Sequence, residues 1–199
     1  MKNHLVIFAK APRFGHAKRR LAADIGMVGA ARFQRLTLGA TARRLAVDSR
    51  GETLLATTGG PMRWPSSIAR MRQPVGDLGR RMEQTIKAFG PGPVVIIGSD
   101  IPDITPGHIA KAFAALGSHD AVFGPADDGG YWLVGVRRRP VYPDLFHTVR
   151  WSTRHALADT IANLGARFNC ALLETLIDID DVAALNRWRA GRYNGPQPH

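Results

Sequence analysis

Short apolar runs alternate with longer amphipathic segments along most of the chain. His4 to Ala9 (HLVIFA) has the length and composition of a buried strand. Ala17 to Asp24 and Gly29 to Val47 read as helices, the second with Phe33, Leu36, Ala40 and Leu45 at near-helical spacing. Thr53 to Thr57 is a short strand, followed by a loop, GGPMRWP, rich in Gly and Pro. Leu78 to Phe89 is a helix that GPGP stops, and Val94 to Gly98 (VVIIG) is a strongly β-branched strand. Pro106 to Leu116 is a helix, with Thr105 placed to cap it and Pro106 at its first position. Strands are expected at Ala121–Gly124, Tyr131–Val136 and Phe168–Leu172. Helices are expected at Thr153–Leu164, capped by Ser152 or Thr153, and at Asp181–Arg189.

This alternation predicts an α/β fold, a three-layer sandwich with helices on both faces of a mostly parallel mixed sheet. No internal repeat and no linker divides the 199 residues, so one domain is expected over 1–190, with 191–199 a frayed tail. In such sheets ligands bind beyond the carboxyl ends of the strands. The segments that follow the strands are therefore where chemistry is to be sought.

After the first strand comes AKAPRFGHAKRRLA, Ala9 to Ala22, with Lys10, Pro12, Gly15, Lys18 and Arg20 ahead of a helix. A basic strand–loop–helix turn suits a phosphate, because free backbone N–H groups and positive side chains meet there. The plain alternative is a solvated basic loop. Neither GxxxxGK[ST] nor GxGxxG is present. In QPVGDLGRRM, Gly76 and Gly79 bracket Asp77, whose simplest role is to cap the next helix.

Asp100 directly follows the VVIIG strand and Ser99. A carboxylate there needs a partner: a helix end, an Arg or a hard cation such as Mg2+ or Mn2+. Asp103 reads as a loop acid or cap. GPADDGGYWLVG puts Asp127 and Asp128 before Gly129-Gly130, which serves either a hairpin turn or a cleft. Asp178, Asp180 and Asp181 precede the last helix; one should cap it, and another could be a second metal-binding carboxylate. Basic groups and acids converging on one sheet edge is what a metal–diphosphate site requires.

Composition narrows the field. The hydrophobic fraction is 45% and the charged fraction 22%, as in ordinary globular proteins, and no apolar run approaches the ~18–20 residues of a membrane span. The formal net charge is +11, but its Arg and Lys are dispersed. A nucleic-acid arm would concentrate them, so nucleic acid is not the expected partner, although the net field favours anions such as nucleotides. One cysteine, Cys170, excludes an internal disulfide and suits the cytoplasm. CxxC, HExxH and GxSxG are absent, which removes the usual zinc and serine-nucleophile signatures.

FAKAPRFGHAKRRLA, GDLGRRM, IIGSDIPDIT, GPADDGGYWLVGV, RWSTRHAL and IDIDDVAAL, in that order, resemble the bacterial DUF2064 family. That family has the glycosyltransferase-A, or nucleotide-diphospho-sugar transferase, fold. More distantly the chain is similar to phospholactate guanylyltransferases and molybdenum-cofactor nucleotidyltransferases. The resemblance implies a metal-dependent transferase that uses an activated nucleotide, first a glycosyltransferase with a nucleotide-sugar donor, alternatively a nucleotidyltransferase releasing pyrophosphate. It implies nucleotide binding at Ala9, Lys10, Pro12, Gly15, Lys18, Arg20, Gly76 and Asp77. Asp100 and Asp180 would hold Mg2+ or Mn2+. Asp128 would orient or deprotonate a small-molecule acceptor, with Lys18 assisting at the phosphates.

Overall fold

The computed structural model describes residues 1–11, 18–47, 50–60, 64–66, 68–138 and 143–193. The strands are β1 (His4–Lys10), β2 (Glu52–Thr58), β3 (Ala69–Arg72), β4 (Val94–Gly98), β5 (Ala121–Pro125), β6 (Tyr131–Val136) and β7 (Cys170–Leu172). The helices are α1 (Arg19–Ala46), α2 (Leu78–Lys87), α3 (Pro106–Ala115), α4 (Ala156–Ala162) and α5 (Val182–Tyr193). The strands form one sheet in the order β3-β2-β1-β4-β6-β5-β7. All neighbours pair in parallel except β4–β6 and β5–β6, so β6 alone runs backwards.

Strand alternation divides the core into two layers. In β4, Val95 and Ile97 face Leu38, Ala42 and Leu45 of α1 and Ile109 and Ala112 of α3. Val94 and Ile96 face the other way, onto the cluster holding Met82 and Ile86 of α2 and, at its margin, Leu157 and Ile161 of α4. Both faces of the central strands are thus covered, as their continuous apolar sequence requires. Each fully buried Leu or Ile contributes about 1.5–3 kcal/mol relative to exposure.

Several local expectations hold. Thr105 accepts from the His108 N–H at 3.3 Å, the Thr105 N–H donates to His108 Nδ1 at 3.1 Å, and Pro106 opens α3. Asp77 caps α2 through the Arg80 N–H at 2.8 Å, and Asp181 holds the start of α5 through the Ala184 N–H at 2.8 Å. The two helices expected before Val47 are one element bent at Gly26, whose φ of 75° and ψ of 158° lie outside the helical region. Glycine takes that conformation without the penalty a β-carbon would bring.

Other expectations are corrected. In α1 the buried stripe is Gln34, Leu38, Thr41, Ala42 and Leu45, while Leu36 and Ala40 face solvent. Neither Ser152 nor Thr153 caps α4. Ser152 has φ 60°, which makes a turn, and the helix begins four residues later at Ala156. The Thr153 hydroxyl donates to the Arg150 carbonyl and accepts from the His155 N–H, closing that turn instead. β3 was not expected, and α5 runs past Arg189 to Tyr193. Residues 194–199 of the expected tail lie outside the described residues.

The chain lays down β1, β2 and β3 to one side and then returns to place β4 on the other flank of β1. That switch point opens a crevice at the carboxyl ends of β1 and β4. Because β6 is reversed, its first residue, Tyr131, and the β5–β6 turn reach the same edge.

Candidate active site

Lys18 stands at the N-terminal end of α1 with φ 40° and ψ 64°, a left-handed conformation that few non-glycine residues adopt. Its side chain is 3% exposed. The ammonium lies 2.8 Å from Asp180 Oδ1, 3.4 Å from Asp100 Oδ2 and 3.5 Å from Asp178 Oδ1. Three stretches of sequence thus meet at one cation: the loop after β1, the end of β4 and the segment before α5.

Local structure explains the convergence. A small apolar cluster of Leu21, Ala30, Ile179 and Leu185 joins the start of α1 to the residues ahead of α5. The Leu21 N–H donates to the Asp180 carbonyl at 3.0 Å, and the Ala22 N–H to the Lys18 carbonyl at 2.8 Å. Ile179 points into that cluster, so its neighbours Asp178 and Asp180 point away from it. The Asp178 N–H donates to Asp127 Oδ1 at 3.1 Å, and Asp127 Oδ2 meets Arg187 at 2.7 Å. Asp127 is therefore a brace for the acidic segment.

Burial and charge act against each other here. Burial alone would lower the Lys18 pKa, but attraction from Asp100, Asp178 and Asp180 and the hydrogen bond to Asp180 outweigh it and raise the pKa above its ordinary value. Asp178 is pushed up to about 7, first by burial; Lys18 opposes the shift, and Asp180, Asp100 and Asp128 add to it. Asp178 Oδ1 is buried without a hydrogen-bond partner. Among the described residues no three His, Cys, Asp or Glu side chains converge closely enough to hold an ion. The carboxylates are instead spaced around the ammonium.

Two cavities meet at these acids. One, of about 260 Å3, is lined by Phe8, Lys10, Gln73, Arg81 and Ser99. The other, of about 660 Å3, is lined by Arg20, Asp128, Trp151, Ser152 and Arg154. Asp100, Asp178, Leu78 and Tyr131 border both and form the partition. Buried Gln73 stitches the smaller cavity together. Its Nε2 donates to the Ala56 carbonyl at 2.9 Å and the Ala9 carbonyl at 3.3 Å, and its Oε1 accepts from Arg81 at 2.8 Å. The larger cavity is walled by the β5–β6 turn, where Asp128 Oδ1 accepts from the Gly130 N–H at 2.8 Å. Gly129, with φ 86°, packs so tightly on the next wall that a Cβ would stand 2.4 Å from the Arg154 carbonyl oxygen. The Leu157 N–H donates to the Gly129 carbonyl at 3.1 Å, which locks turn and loop together.

The structure therefore sorts the expected residues. Asp100, Asp180, Lys18, Lys10, Arg20 and Asp128 reach the two cavities or their partition. Ala9 is fully buried and offers only its carbonyl, to Gln73. Gly76 and Asp77 are exposed at the start of α2, with Asp77 engaged as its cap. Pro12 and Gly15 lie outside the described residues. Gln73, Arg81, Tyr131, Trp151 and Arg154 were not singled out as site residues. Gln73 and Arg81 flank the noted GDLG stretch, whose position after a strand was their one available signal.

The signature of the DUF2064 family, described as uncharacterized proteins conserved in bacteria, matches residues 31–153. The chain belongs to this family. Among solved structures, a candidate nucleotide-diphospho-sugar transferase from Desulfovibrio desulfuricans G20 is similar over 98% of this chain and 90% of its own, with 31% identity and a TM-score of 0.89. CMP:2-keto-3-deoxy-manno-octonic acid synthetase complexed with CTP shares the fold at 12% identity, a TM-score of 0.59, and coverage of 98% and 100%. So does Rv0371c of Mycobacterium tuberculosis H37Rv in complex with manganese, at 14% identity, a TM-score of 0.57, and coverage of 94% and 97%. No curated protein matches the chain in sequence. This DUF2064 member thus has the nucleotide-diphospho-sugar transferase-like fold that its sequence motifs implied, and no helix among its described residues is long and apolar enough to cross a membrane.

Proposed function

We propose that this protein is a transferase acting on an activated nucleotide, with glycosyl transfer from a nucleotide sugar as the leading reaction. The observation that carries the proposal is the Lys18–Asp100–Asp178–Asp180 centre at the β1/β4 switch point, set between two cavities. The 31% identical candidate nucleotide-diphospho-sugar transferase supports the glycosyl version. In this reading the nucleoside lies on the Lys10–Gln73 side, the diphosphate crosses the acidic partition, and the sugar and acceptor occupy the cavity beside Asp128 and Trp151.

The donor chemistry suits a divalent cation whose remaining ligands are phosphate oxygens: the carboxylates of Asp100 and Asp180 both border the larger cavity, and Asp178 Oδ1 beside them is buried with no hydrogen-bond partner. Asp100 and Asp180 would hold Mg2+ or Mn2+, which when bound neutralises charge on a leaving diphosphate. Lys18 and Arg20 add positive charge beside the same phosphates. Asp128, whose Oδ1 accepts from the Gly130 N–H, would orient an acceptor hydroxyl and take its proton. Tyr131 and Trp151 supply apolar faces that keep water from the reacting group.

The fold shared with the CTP-bound synthetase supports a second version, nucleotidyl transfer. There an acceptor phosphate attacks the α-phosphate of a nucleoside triphosphate and pyrophosphate leaves. Incubation with nucleoside triphosphates and with nucleotide sugars in Mn2+ separates the two. Nucleoside diphosphate release is the expected result; pyrophosphate release replaces the first version with the second. Thermal-shift screening tests both, since a ligand that binds only the native state raises its melting temperature. Absence of any joint metal and nucleotide effect would sink the whole reading.

A further inference from the structure

The distances around Lys18 are those of an ammonium: 2.8, 3.4 and 3.5 Å to three carboxylate oxygens. Asp100 and Asp180, the two carboxylates that would hold the cation, are both turned on Nζ, and a Mg2+ would need their oxygens at about 2.0–2.1 Å, closer than Nζ stands to either. The ammonium therefore has to give up these oxygens for the metal to take them, and the like charges of the two cations repel at such range. The side chain can leave, because it is a flexible four-carbon stem. Its backbone is held, by the hydrogen bonds from Ala22 to Lys18 and from Leu21 to Asp180. It is also held in a left-handed conformation that costs roughly 1 kcal/mol. A strained backbone that aims a single cation at three acids is the kind of feature that persists when the surroundings enforce it.

We infer that Lys18 is a resident competitor for the divalent cation, closing the acidic centre when nucleotide is absent and moving onto the nucleotide phosphates when metal and nucleotide arrive together. The inference rests on the nucleotide-and-metal reading above. It also supplies a reason for cooperative binding. Metal alone must displace an ammonium from three carboxylates and leave it without an anionic partner. Metal with nucleotide offers that ammonium a phosphate in exchange, so each ligand favours the other.

The test is Mn2+ binding without nucleotide, followed by the electron paramagnetic resonance signal of free Mn2+, on wild type, Lys18→Gln, Arg20→Gln and Asp100→Asn. Arg20 lines the larger cavity but makes no ion pair with these carboxylates among the described residues, so it controls for simple loss of a nearby positive charge. Lys18→Gln should bind Mn2+ at least roughly tenfold more tightly than wild type, and Arg20→Gln no more than about threefold. Asp100→Asn should bind it more weakly. Equal or weaker Mn2+ binding by Lys18→Gln, or equal gains in both cation variants, overturns the competitor role while wild-type binding leaves the metal reading standing. No Mn2+ binding by wild type or Lys18→Gln overturns both. Should Lys18→Gln fail to fold, wild type labelled with 15N-lysine decides. The Lys18 Nζ resonance must shift on titration with Mg2+, and an unmoved signal overturns the inference.

Discussion

Two ion-pair clusters of this molecule use the same chemistry and reach opposite ends. Arg150 and Asp159 form a closed unit: Nη2 to Oδ1 at 2.7 Å, Nε to Oδ2 at 2.9 Å, and the Arg150 N–H to Oδ2 at 3.0 Å. One cation meets one acid, every contact is short, and the pair lies on the surface. At Lys18 one cation faces three acids, two contacts are long, and Asp178 Oδ1 has no hydrogen bond. The first cluster is complete and braces a loop. The second carries excess negative charge and a buried oxygen that no hydrogen bond satisfies, and such a centre is stable only because the fold enforces it. An incomplete charge centre is an opening for a ligand, whereas a complete one has no use for it.

The sharpest way to break this comparison is to remove an acid from the incomplete centre. Asp100→Asn should lower donor turnover by about 100- to 1,000-fold, the range for losing one element of transition-state charge stabilisation. Steady-state kinetics reads the loss, and a near-wild-type melting temperature would show that the fold survives. The next largest effect falls on the wall that joins the two regions. Gly129→Ala places a β-carbon against the Arg154 backbone at a φ of 86° and should cost about 2–3 kcal/mol in urea unfolding. The loop braced by Arg150 would then lose its register with the Asp128 turn.

A smaller effect distinguishes the clusters by the sign of their pH dependence in metal-free buffer. Asp159 is pulled down to about 2 by the hydrogen bonds from the Arg150 side chain and backbone. Its contribution to stability is present above the ordinary carboxylate pKa and is lost as pH falls through about 2. Asp178 is raised to about 7, so the folded state holds its proton more tightly than the unfolded state does. Its contribution is present below about pH 4 and is lost as pH rises through 7. Relative to wild type, Asp178→Asn should therefore gain in urea midpoint between pH 4 and 7, and Asp159→Asn should not. Parallel curves for Asp178→Asn and wild type would refute the assignment.

Much of this was legible from the chain, for physical reasons that also mark where legibility ends. The β4 strand and Asp100 after it were readable because five consecutive apolar or glycine residues gave way to a serine and then an acid. Thr105-Pro106 and Asp77 were readable because caps are local. β3 was missed because Ala69–Arg72 is an exposed edge strand carrying two arginines, with no apolar period to detect. The α1 stripe was misassigned because Leu36 is exposed while Gln34, Thr37 and Thr41 are buried, so polarity misled the count. The meeting of Lys18 with acids from two distant segments depends on tertiary packing of Leu21 and Ile179, which no local pattern encodes. For the same reason the position of Gln73 beside the GDLG stretch did not reveal its role, which comes from lying beneath the ends of β1 and β2 at once.

The smallest expected effect completes the comparison. Arg150→Gln removes the guanidinium from an exposed pair, and exposed pairs are weak because water already solvates both partners and screens their attraction. The Arg150 N–H would still donate to Asp159, so the turn keeps one of its three ties. The urea midpoint should move only slightly, and by less in high salt than in low salt. The joint Mn2+ and nucleotide effect on melting temperature should persist, because no atom of this pair borders either cavity's acidic partition. Should Arg150→Gln instead abolish that effect, the loop from Trp151 to Arg154 would be held in place by this surface pair rather than by its contact with Gly129. The distinction between a completed brace and an unfinished centre would then fail at its structural end.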